Sequence, residues 1–79
     1  MRIPDGSNPA RIRKRSVRIK GHDTSVSLEG AFLDALGEIA EARGMSLNAL
    51  VAAIDRESTG NLSSALRLFV LEQTRRRAS

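Results

Sequence analysis

The stretch DTSVSLEGAFLDALGEIAEARGMSLN, residues 23–48, decides the fold because its hydrophobic period changes partway along it. Polar and apolar residues alternate up to Leu28, as in a strand with one buried face. From Phe32 onward, apolar residues recur at the three- and four-residue spacing of one helical face. The stretch therefore predicts a strand that runs almost directly into a helix.

Two breaks divide the rest of the chain into three helices. The first helix is predicted over residues 30–43, and Gly44 is suited to end it because glycine adopts a left-handed backbone without penalty. The second helix begins after Ser46, a competent N-cap, and is predicted to run to about Arg56 or Glu57. A third helix follows the second break.

The third helix carries more apolar residues than one helical face requires. It is predicted to begin near Asn61 or Ser63, both of which can cap a helix. Leu68 and Leu71 widen its apolar arc beyond the stripe that packs on a core. The apolar stripe of this helix is accounted for by packing in the core or in a dimer. The additional apolar residues beside the stripe could instead dock a protein partner.

A second alternating run, from Ser16 to Lys20, lies upstream of the strand. Its apolar residues are odd-numbered, whereas Val26 and Leu28 are even-numbered, so one flat strand would send the two sets to opposite faces. Gly21 lies between the runs and is suited to a bend or a bulge. Two short strands fit this pattern, and so does one strand broken near Gly21.

Length and composition restrict the class of protein. The chain has 79 residues, no cysteine, one histidine and two phenylalanines. It forms one domain at most, and without disulfides or zinc we expect oligomerisation to supplement its small core. One histidine offers little to catalysis or a metal site, and two aromatic rings offer little to base stacking. We therefore expect no enzyme activity, no cofactor, no metal and no membrane contact, and a cytoplasmic location.

Charge is distributed unevenly along the chain, whose formal net charge is +4. Residues 1–20 carry seven basic side chains against one acidic, whereas residues 21–74 carry three arginines against eight acids. A clustered basic segment indicates a polyanion partner, because each neutralised phosphate releases counterions. The predicted segments are a disordered basic arm over residues 1–14, a folded domain over residues 15–75 and a basic tail over residues 76–79.

The strand from Asp23 to Leu28 needs a partner, because an unpaired strand leaves its backbone polar groups unsatisfied. The simplest partner is the same strand of a second copy across a two-fold axis, which gives an intermolecular antiparallel ribbon. The predicted fold is therefore mostly α-helical, with one or two short N-terminal strands, an extra C-terminal helix and a homodimeric core. The predicted dimer core consists of Val26, Leu28, Phe32, Leu36, Ile39, Leu47, Leu50, Val51, Ile54, Leu66 and Phe69.

The strand, the helix and the junction Gly44-Met45-Ser46-Leu47-Asn48 together resemble a known family, and the junction is the most specific part. The chain resembles ribbon-helix-helix DNA-binding domains of the MetJ/Arc type. It is most similar to a bacterial subgroup with a segment like Arg15 to Ile19 ahead of the strand and a third helix like residues 61–70. The resemblance implies a homodimeric regulator of transcription, a repressor by type, with double-stranded DNA as its partner.

The resemblance also implies how DNA is bound. In this family the antiparallel ribbon enters the major groove, where outward side chains read base edges, and the N-terminus of the second helix presents amides to a phosphate. The outward positions here carry Asp and Ser, which are shorter than the Arg, Lys, Asn and Gln that pair bidentately with bases. The implied base-reading residues are Asp23, Ser25 and Ser27, supplemented by Arg18 and Lys20. The implied phosphate-binding residues are Ser46, Leu47 and Asn48 at the helix. From their charge, Arg11, Arg13, Lys14 and Arg15 are predicted to bind phosphates as well, along a groove or along the DNA backbone.

Two other functions share these features. One is the antitoxin of a toxin–antitoxin pair, in which the same fold binds DNA and the C-terminal helix binds a toxin. We expect only about five residues after the third helix, fewer than a tail that wraps a toxin needs. The other is a protein-interaction module without DNA affinity, and it predicts no salt-sensitive binding to DNA.

Overall fold

The computed structural model of the chain describes residues 10–78, and residues 1–9 of the predicted arm lie outside them. Two strands precede three helices, and the extra helix is at the C-terminal end, so the predicted fold class is confirmed. The elements are β1 (Ile12–Ile19), β2 (His22–Glu29), α1 (Gly30–Ala42), α2 (Leu47–Glu57) and α3 (Leu62–Ala78).

The regular structure extends beyond the predicted domain limits at both ends. β1 begins at Ile12, inside the predicted arm, because its basic residues continue to pair with β2 until Ile12 lies opposite Glu29. Residues 12–15 show little alternation of polar and apolar residues, because three of the four are basic. They form a strand nonetheless, because backbone pairing with β2 does not require apolar side chains. α3 continues to Ala78, past the predicted limit at residue 75, through residues that favour helix.

A two-residue turn joins the strands into a hairpin. β1 and β2 pair antiparallel, and the last pair before the turn is Ile19 opposite His22. Lys20 and Gly21 have positive φ values of 54° and 80°, which is the signature of a type I′ turn. Because the turn contains two residues, odd positions of β1 face even positions of β2, so the two apolar runs lie on one face despite their opposite parity. Of the two interpretations left open by the sequence, the structure adopts two strands.

The premise behind the predicted intermolecular ribbon requires a correction. β2 already pairs along its full length with β1 of the same chain. The expectation rested on a strand without a mate, and that premise fails because the basic segment ahead of Gly21 is itself a strand. A homodimer therefore does not follow from strand pairing.

The junction between α1 and α2 has the geometry that its glycine predicts. Gly44 has a φ of 69°, and its N–H donates to the Glu41 carbonyl at 3.0 Å. The Met45 N–H donates to the Ala40 carbonyl at 2.9 Å. This pair of bonds is a Schellman motif, which satisfies the last carbonyls of α1 and redirects the chain into α2.

One core lies between the inner face of the hairpin and the three helices. It includes Val17 and Ile19, which were not predicted because β1 was not known to pack there. It also includes Leu33, which lies outside the predicted stripe of α1, and Ala40, which lies on that stripe. The buried apolar residues are Val17, Ile19, Val26, Leu28, Leu33, Leu36, Ala40, Leu50, Val51, Leu66 and Val70. Half-buried members of the predicted dimer core are Phe32, Ile39, Leu47, Ile54 and Phe69.

The hairpin turn offers a stability test. Lys20 holds a left-handed backbone, which costs a non-glycine residue roughly 1–2 kcal/mol, and asparagine tolerates this conformation better. We expect Lys20→Asn to raise the free energy of unfolding in urea by about 0.5–1 kcal/mol, a part of that cost. Lys20→Ala removes the same charge, but alanine does not tolerate the left-handed backbone as asparagine does. This variant should therefore give no increase in the free energy of unfolding. An equal gain from both variants would contradict the backbone cause.

Candidate nucleic-acid interface

The hairpin has one face packed on the helices and one face open to solvent. The packed face contributes Val17, Val26 and their neighbours on the same side to the core. Side chains alternate along a strand, so the residues between these point to the other side, hereafter the outer face. Every base-reading residue implied by the resemblance except Lys20 lies on this face. The exposed polar residues of the outer face are Lys14, Ser16 and Arg18 on β1 and Asp23, Ser25 and Ser27 on β2, and Ile12 is exposed at the start of β1 on the same face.

Arg18 and Asp23 lie opposite each other on the outer face and form an ion pair. Nη1 of Arg18 is 3.4 Å from Oδ1 of Asp23, and their side chains are 67% and 84% exposed. The pair neutralises a carboxylate that would otherwise repel phosphates. An ion pair this exposed contributes between zero and about 1 kcal/mol to stability. Arg18 can therefore exchange Asp23 for a nucleic-acid contact at little cost to the fold.

Two of the implied DNA-binding residues lie at the ends of the hairpin. Lys20 is in the turn, and its Nζ is 4.0 Å from Oδ2 of Asp55 in α2. Arg11 immediately precedes β1, and its carbonyl accepts a hydrogen bond from the N–H of Gly30 at 2.8 Å. Both residues therefore flank the outer face and do not form part of it.

Arg13 and Arg15 lie on the opposite side of the hairpin from Lys14. They have the parity of the packed face, but they lie beyond the core and their side chains remain exposed beside α1. Nη1 of Arg13 is 3.6 Å from Oδ1 of Asp34. A phosphate at Arg13 would therefore have to compete with Asp34 of α1. The shallow depression that both arginines line also includes Leu33, Asp34, Gly37, Glu38, Glu41 and Leu47.

The N-terminus of α2 begins beside β1. Oγ of Ser46 accepts a hydrogen bond from the N–H of Ala49 at 3.0 Å, which makes Ser46 the N-cap. The backbone N–H groups of Leu47 and Asn48 follow as the first two of the helix. The helix dipole and these N–H groups favour an anion at this end. The implied amide cluster is therefore present and adjoins the hairpin.

The side chain of Asn48 makes a contact that no local sequence pattern indicates. Its Oδ1 accepts from the backbone N–H of Arg18 at 2.7 Å, and its Nδ2 donates to the Arg18 carbonyl at 2.8 Å. The amide group thus pairs with β1 as a neighbouring strand would. Because 30 residues separate the two positions, only the tertiary fold shows this contact. It fixes the hairpin relative to the N-terminus of α2.

Glu29 and Arg67 connect the end of β2 to α3. Nε of Arg67 donates to Oε1 of Glu29 at 2.9 Å, and both side chains are about one third exposed. This hydrogen bond holds the pKa of the Glu29 carboxyl below its ordinary value, and a backbone hydrogen bond and the positive charge of Arg67 act in the same direction.

The lowered pKa of Glu29 predicts a pH dependence of stability. Its contribution to the free energy of unfolding is present above the ordinary pKa of about 4.5 and is lost as the pH falls through the lower folded-state value. We expect Glu29→Gln to reduce the loss of unfolding free energy as the pH falls through this range. We expect Arg67→Lys to raise the pKa of Glu29 measured by NMR, because lysine lacks the guanidinium Nε–H that donates to the carboxylate. A Glu29 pKa at or above 4.5 in the wild type would contradict the assignment.

A two-stranded ribbon with a free polar face, followed directly by helices, is the architecture of β-ribbon DNA-binding proteins. The chain belongs to the ribbon-helix-helix family, because the family model described as "Ribbon-helix-helix domain" matches residues 12–74. This family consists of non-enzymatic DNA-binding proteins that act as regulators or antitoxins.

A solved structure has the same fold. An uncharacterized protein from Bordetella pertussis Tohama I matches with 32% sequence identity and a TM-score of 0.80. The match covers 90% of this chain and 62% of that one, so this chain spans less than two thirds of the length of the Bordetella protein. No curated protein matches the sequence. Among residues 10–78, none of the helices is long and apolar enough to cross a membrane.

Proposed function

We propose that the protein is a homodimeric, sequence-specific regulator of transcription whose hairpin enters the major groove of double-stranded DNA. The observation that carries the proposal is the outer face of the hairpin, where six exposed polar side chains stand on a two-stranded ribbon without helix packing. Binding to chromosomal DNA would place the protein on the nucleoid, in the cytoplasm.

The dimensions and chemistry of the outer face suit a major groove. The groove is about 12 Å wide and admits a two-stranded ribbon. Ser16 and Ser25 face each other at the centre of the outer face. Serine hydroxyls can donate a hydrogen bond to any base edge or accept one from it. Lys14 and Arg18 flank the serines on β1, where they reach guanine or phosphate oxygens. We therefore assign groove contacts to these four residues.

Charge supports the same surface. β1, β2 and their turn carry five basic and two acidic residues, whereas residues 30–78 carry six basic and six acidic ones. The hairpin is thus the basic element of a domain whose helical part has no net charge. A polyanion would approach the hairpin first, because phosphate contacts release counterions and steer association.

The homodimer in this proposal rests on apolar surface that one chain leaves open. A groove between α2 and α3 is lined by Ile54, Leu68 and Phe69, and Leu68 is 65% exposed. We propose a second copy as its occupant, because oligomerisation is the usual means by which so small a domain enlarges its core. Sedimentation equilibrium should give a two-chain mass that falls to one chain in Leu68→Ser. A wild-type mass of one chain would contradict the dimer.

A protein partner on α3, as in an antitoxin, is the second candidate function. Leu71 is 49% exposed and adjoins Leu68 along the helix, so α3 presents an apolar strip that the single chain does not cover. If a different protein covers this strip, Leu68→Ser leaves the mass of the free chain unchanged. The sedimentation experiment therefore separates this candidate from the homodimer.

The salt dependence of DNA binding tests the proposed function. We expect the logarithm of the association constant for duplex DNA to fall linearly between about 50 and 200 mM salt, with a slope of about −0.9 per phosphate neutralised. Fluorescence anisotropy with labelled duplexes, selected from a random pool at a stated salt concentration, gives this slope. Absence of binding, or binding that does not change with salt, would overturn the proposal in favour of a protein-interaction module.

A further inference from the structure

We infer that the side chain of Asn48 positions the DNA-binding surface and does not itself contact DNA. Asn48 lies in the junction for which the family resemblance implies phosphate binding, and its backbone N–H keeps that role. Its side chain instead joins the edge of β1 to the N-terminus of α2. The inference rests on the proposed function, and it assigns to Asn48 the task of holding the phosphate contacts and the base contacts in one register.

The side-chain amide of Asn48 is committed to the backbone of one residue. Its Oδ1 accepts from the N–H of Arg18 at 2.7 Å, and its Nδ2 donates to the carbonyl of Arg18 at 2.8 Å. A phosphate oxygen accepts hydrogen bonds and donates none, so DNA offers no substitute for the N–H that Oδ1 binds. A side chain that turned toward a phosphate would leave both backbone groups of Arg18 without this partner.

The anion site next to this contact is made of backbone groups. Among the first three N–H groups of α2, that of Ala49 donates to Oγ of Ser46 at 3.0 Å, and those of Leu47 and Asn48 lack an intrahelical partner. These two groups and the helix dipole favour a phosphate. Asn48 thus contributes its N–H to the anion site and its side chain to β1, and the two roles do not compete.

Arg18 belongs to the outer face, so the contact with Asn48 links two parts of the proposed DNA-binding surface. The guanidinium of Arg18 lies on the outer face, with Nη1 at 3.4 Å from Oδ1 of Asp23, while its backbone is held by Asn48 at the edge of β1. Side chains stand roughly perpendicular to a sheet, so both contacts exist at the same time. A phosphate bound at α2 therefore fixes where the side chain of Arg18 meets the bases.

The other contacts between the hairpin and α2 constrain its position less tightly. Val17 and Ile19 share the core with Leu50, but hydrophobic contact is non-directional. The ion pair at the turn spans 4.0 Å, and its lysine is 69% exposed. Hydrogen bonds constrain both distance and angle, and a binding site needs its geometry held within about 0.5 Å. The two bonds of Asn48 supply this constraint between the hairpin and α2.

Amide hydrogen exchange tests the contact without DNA. The N–H of Arg18 points away from β2, where an amide without a partner exchanges rapidly. Ser16 lies two residues earlier with the same orientation and outside the reach of Asn48, so its N–H is the internal reference. After correction for intrinsic rates, we expect Arg18 to exchange at least about fivefold more slowly than Ser16 in the wild type, and equally fast in Asn48→Ala. Equal rates in the wild type would overturn the inference.

Sequence discrimination tests the consequence for DNA binding. Phosphate contacts carry no sequence information, whereas base contacts do. We expect Asn48→Ala to lower the ratio of the affinities for a selected and a random duplex at least about tenfold, while the affinity for the random duplex falls less than about threefold. Fluorescence anisotropy at one stated salt concentration measures both affinities. An equal loss for both duplexes would show that the side chain binds a phosphate, and this result or an unchanged ratio would overturn the inference.

Ser63→Ala is the matched control. It also removes one neutral hydrogen bond between a helix and a strand, from Oγ of Ser63 to the carbonyl of Ser27 at 3.4 Å, but this bond joins α3 to β2. Neither Ser63 nor Asn48 belongs to the buried core. We expect the affinity ratio of Ser63→Ala to stay within about twofold of the wild type. An equal fall in both variants would assign the effect to a general loosening of the hairpin and would overturn the inference.

The wild type provides a second readout if Asn48→Ala does not fold. We expect the N–H of Arg18 to keep its slow exchange in the complex with the selected duplex, because the Asn48 side chain stays on β1. Rapid exchange of Arg18 in the complex would show that the side chain leaves β1 on binding, and would overturn the inference. If the wild type binds neither duplex, the proposed function fails, whereas failure of this inference alone leaves wild-type binding intact.

Discussion

Leu36→Ala is expected to lower the free energy of unfolding by about 2–5 kcal/mol, the largest single effect of any substitution considered for this fold. Leu36 has no exposed surface and lies in the core shared by the hairpin and the helices. A domain of this size has a total stability of roughly 4–10 kcal/mol. The cavity left by the substitution would therefore remove a large share of that stability, and the unfolding midpoint in urea would fall steeply.

Leu68→Ala provides the matched control for this prediction. It deletes the same atoms from a leucine that is 65% exposed in the single chain, so the expected change in urea unfolding is within about 0.5 kcal/mol when the protein is dilute enough to be monomeric. A small effect of Leu36→Ala would contradict the described core. A large and concentration-dependent effect of Leu68→Ala would show that this leucine is buried in the proposed dimer.

The double charge reversal Lys14→Glu/Arg18→Glu is expected to weaken DNA binding at least about 100-fold, or about 2.8 kcal/mol. Both side chains are exposed on the outer face, so the substitutions replace two attractive contacts with two repulsive ones and leave the core unchanged. A carboxylate at position 18 faces Asp23 across the ribbon, which destabilises the pair by roughly 0.2–1 kcal/mol. Circular dichroism and urea unfolding would verify that the domain remains folded.

Arg56→Glu/Arg76→Glu is the control matched in charge. These two arginines are exposed on α2 and α3, and Arg76 is 73% exposed at the far end of α3 from the hairpin. The total charge changes by the same amount, so any effect of net charge alone appears equally in both double variants. We expect less than about a tenfold loss for the control, because neither arginine lies on the outer face. Equal losses would assign the affinity to overall charge and would remove the outer face from the mechanism.

The local elements of the fold could be predicted from the sequence because each has a local cause. The period change near residue 29 marks the start of α1, and Gly44 ends it through a Schellman motif. Ser46 caps α2 as its position predicts. The opposite parity of the two apolar runs indicated a break at Gly21, and the two-residue turn is that break.

The identity of the strand partner could not be predicted in the same way. Residues 12–15 are three basic side chains after one isoleucine, and such a run gives almost no period-two signal. Its strand conformation comes from pairing with β2 across a turn whose geometry depends on a left-handed lysine at position 20. The sequence therefore predicted a strand in need of a mate, and placed that mate in another chain.

Sequence placed the outer-face residues more successfully than the basic residues around them. Alternation alone sets Ser25 and Ser27 opposite the core-facing Val26, and the structure has this arrangement. The implied phosphate-binding set contains Lys14 and Arg13, which alternation separates onto opposite sides of the ribbon once β1 is known to be a strand. Asn48 belonged to a motif in the sequence, but its bond to β1 spans 30 residues and depends on tertiary packing.

The most direct measurement is an amide chemical-shift map of the isotope-labelled chain, titrated with a duplex obtained by selection. If the ribbon occupies the major groove, the largest shifts fall on residues 14–18 and 23–27, with a second group at Leu47 and Asn48. Shifts confined to the acidic side of α1 or to α3, with those strands unchanged, would show that the hairpin is not the DNA-binding surface.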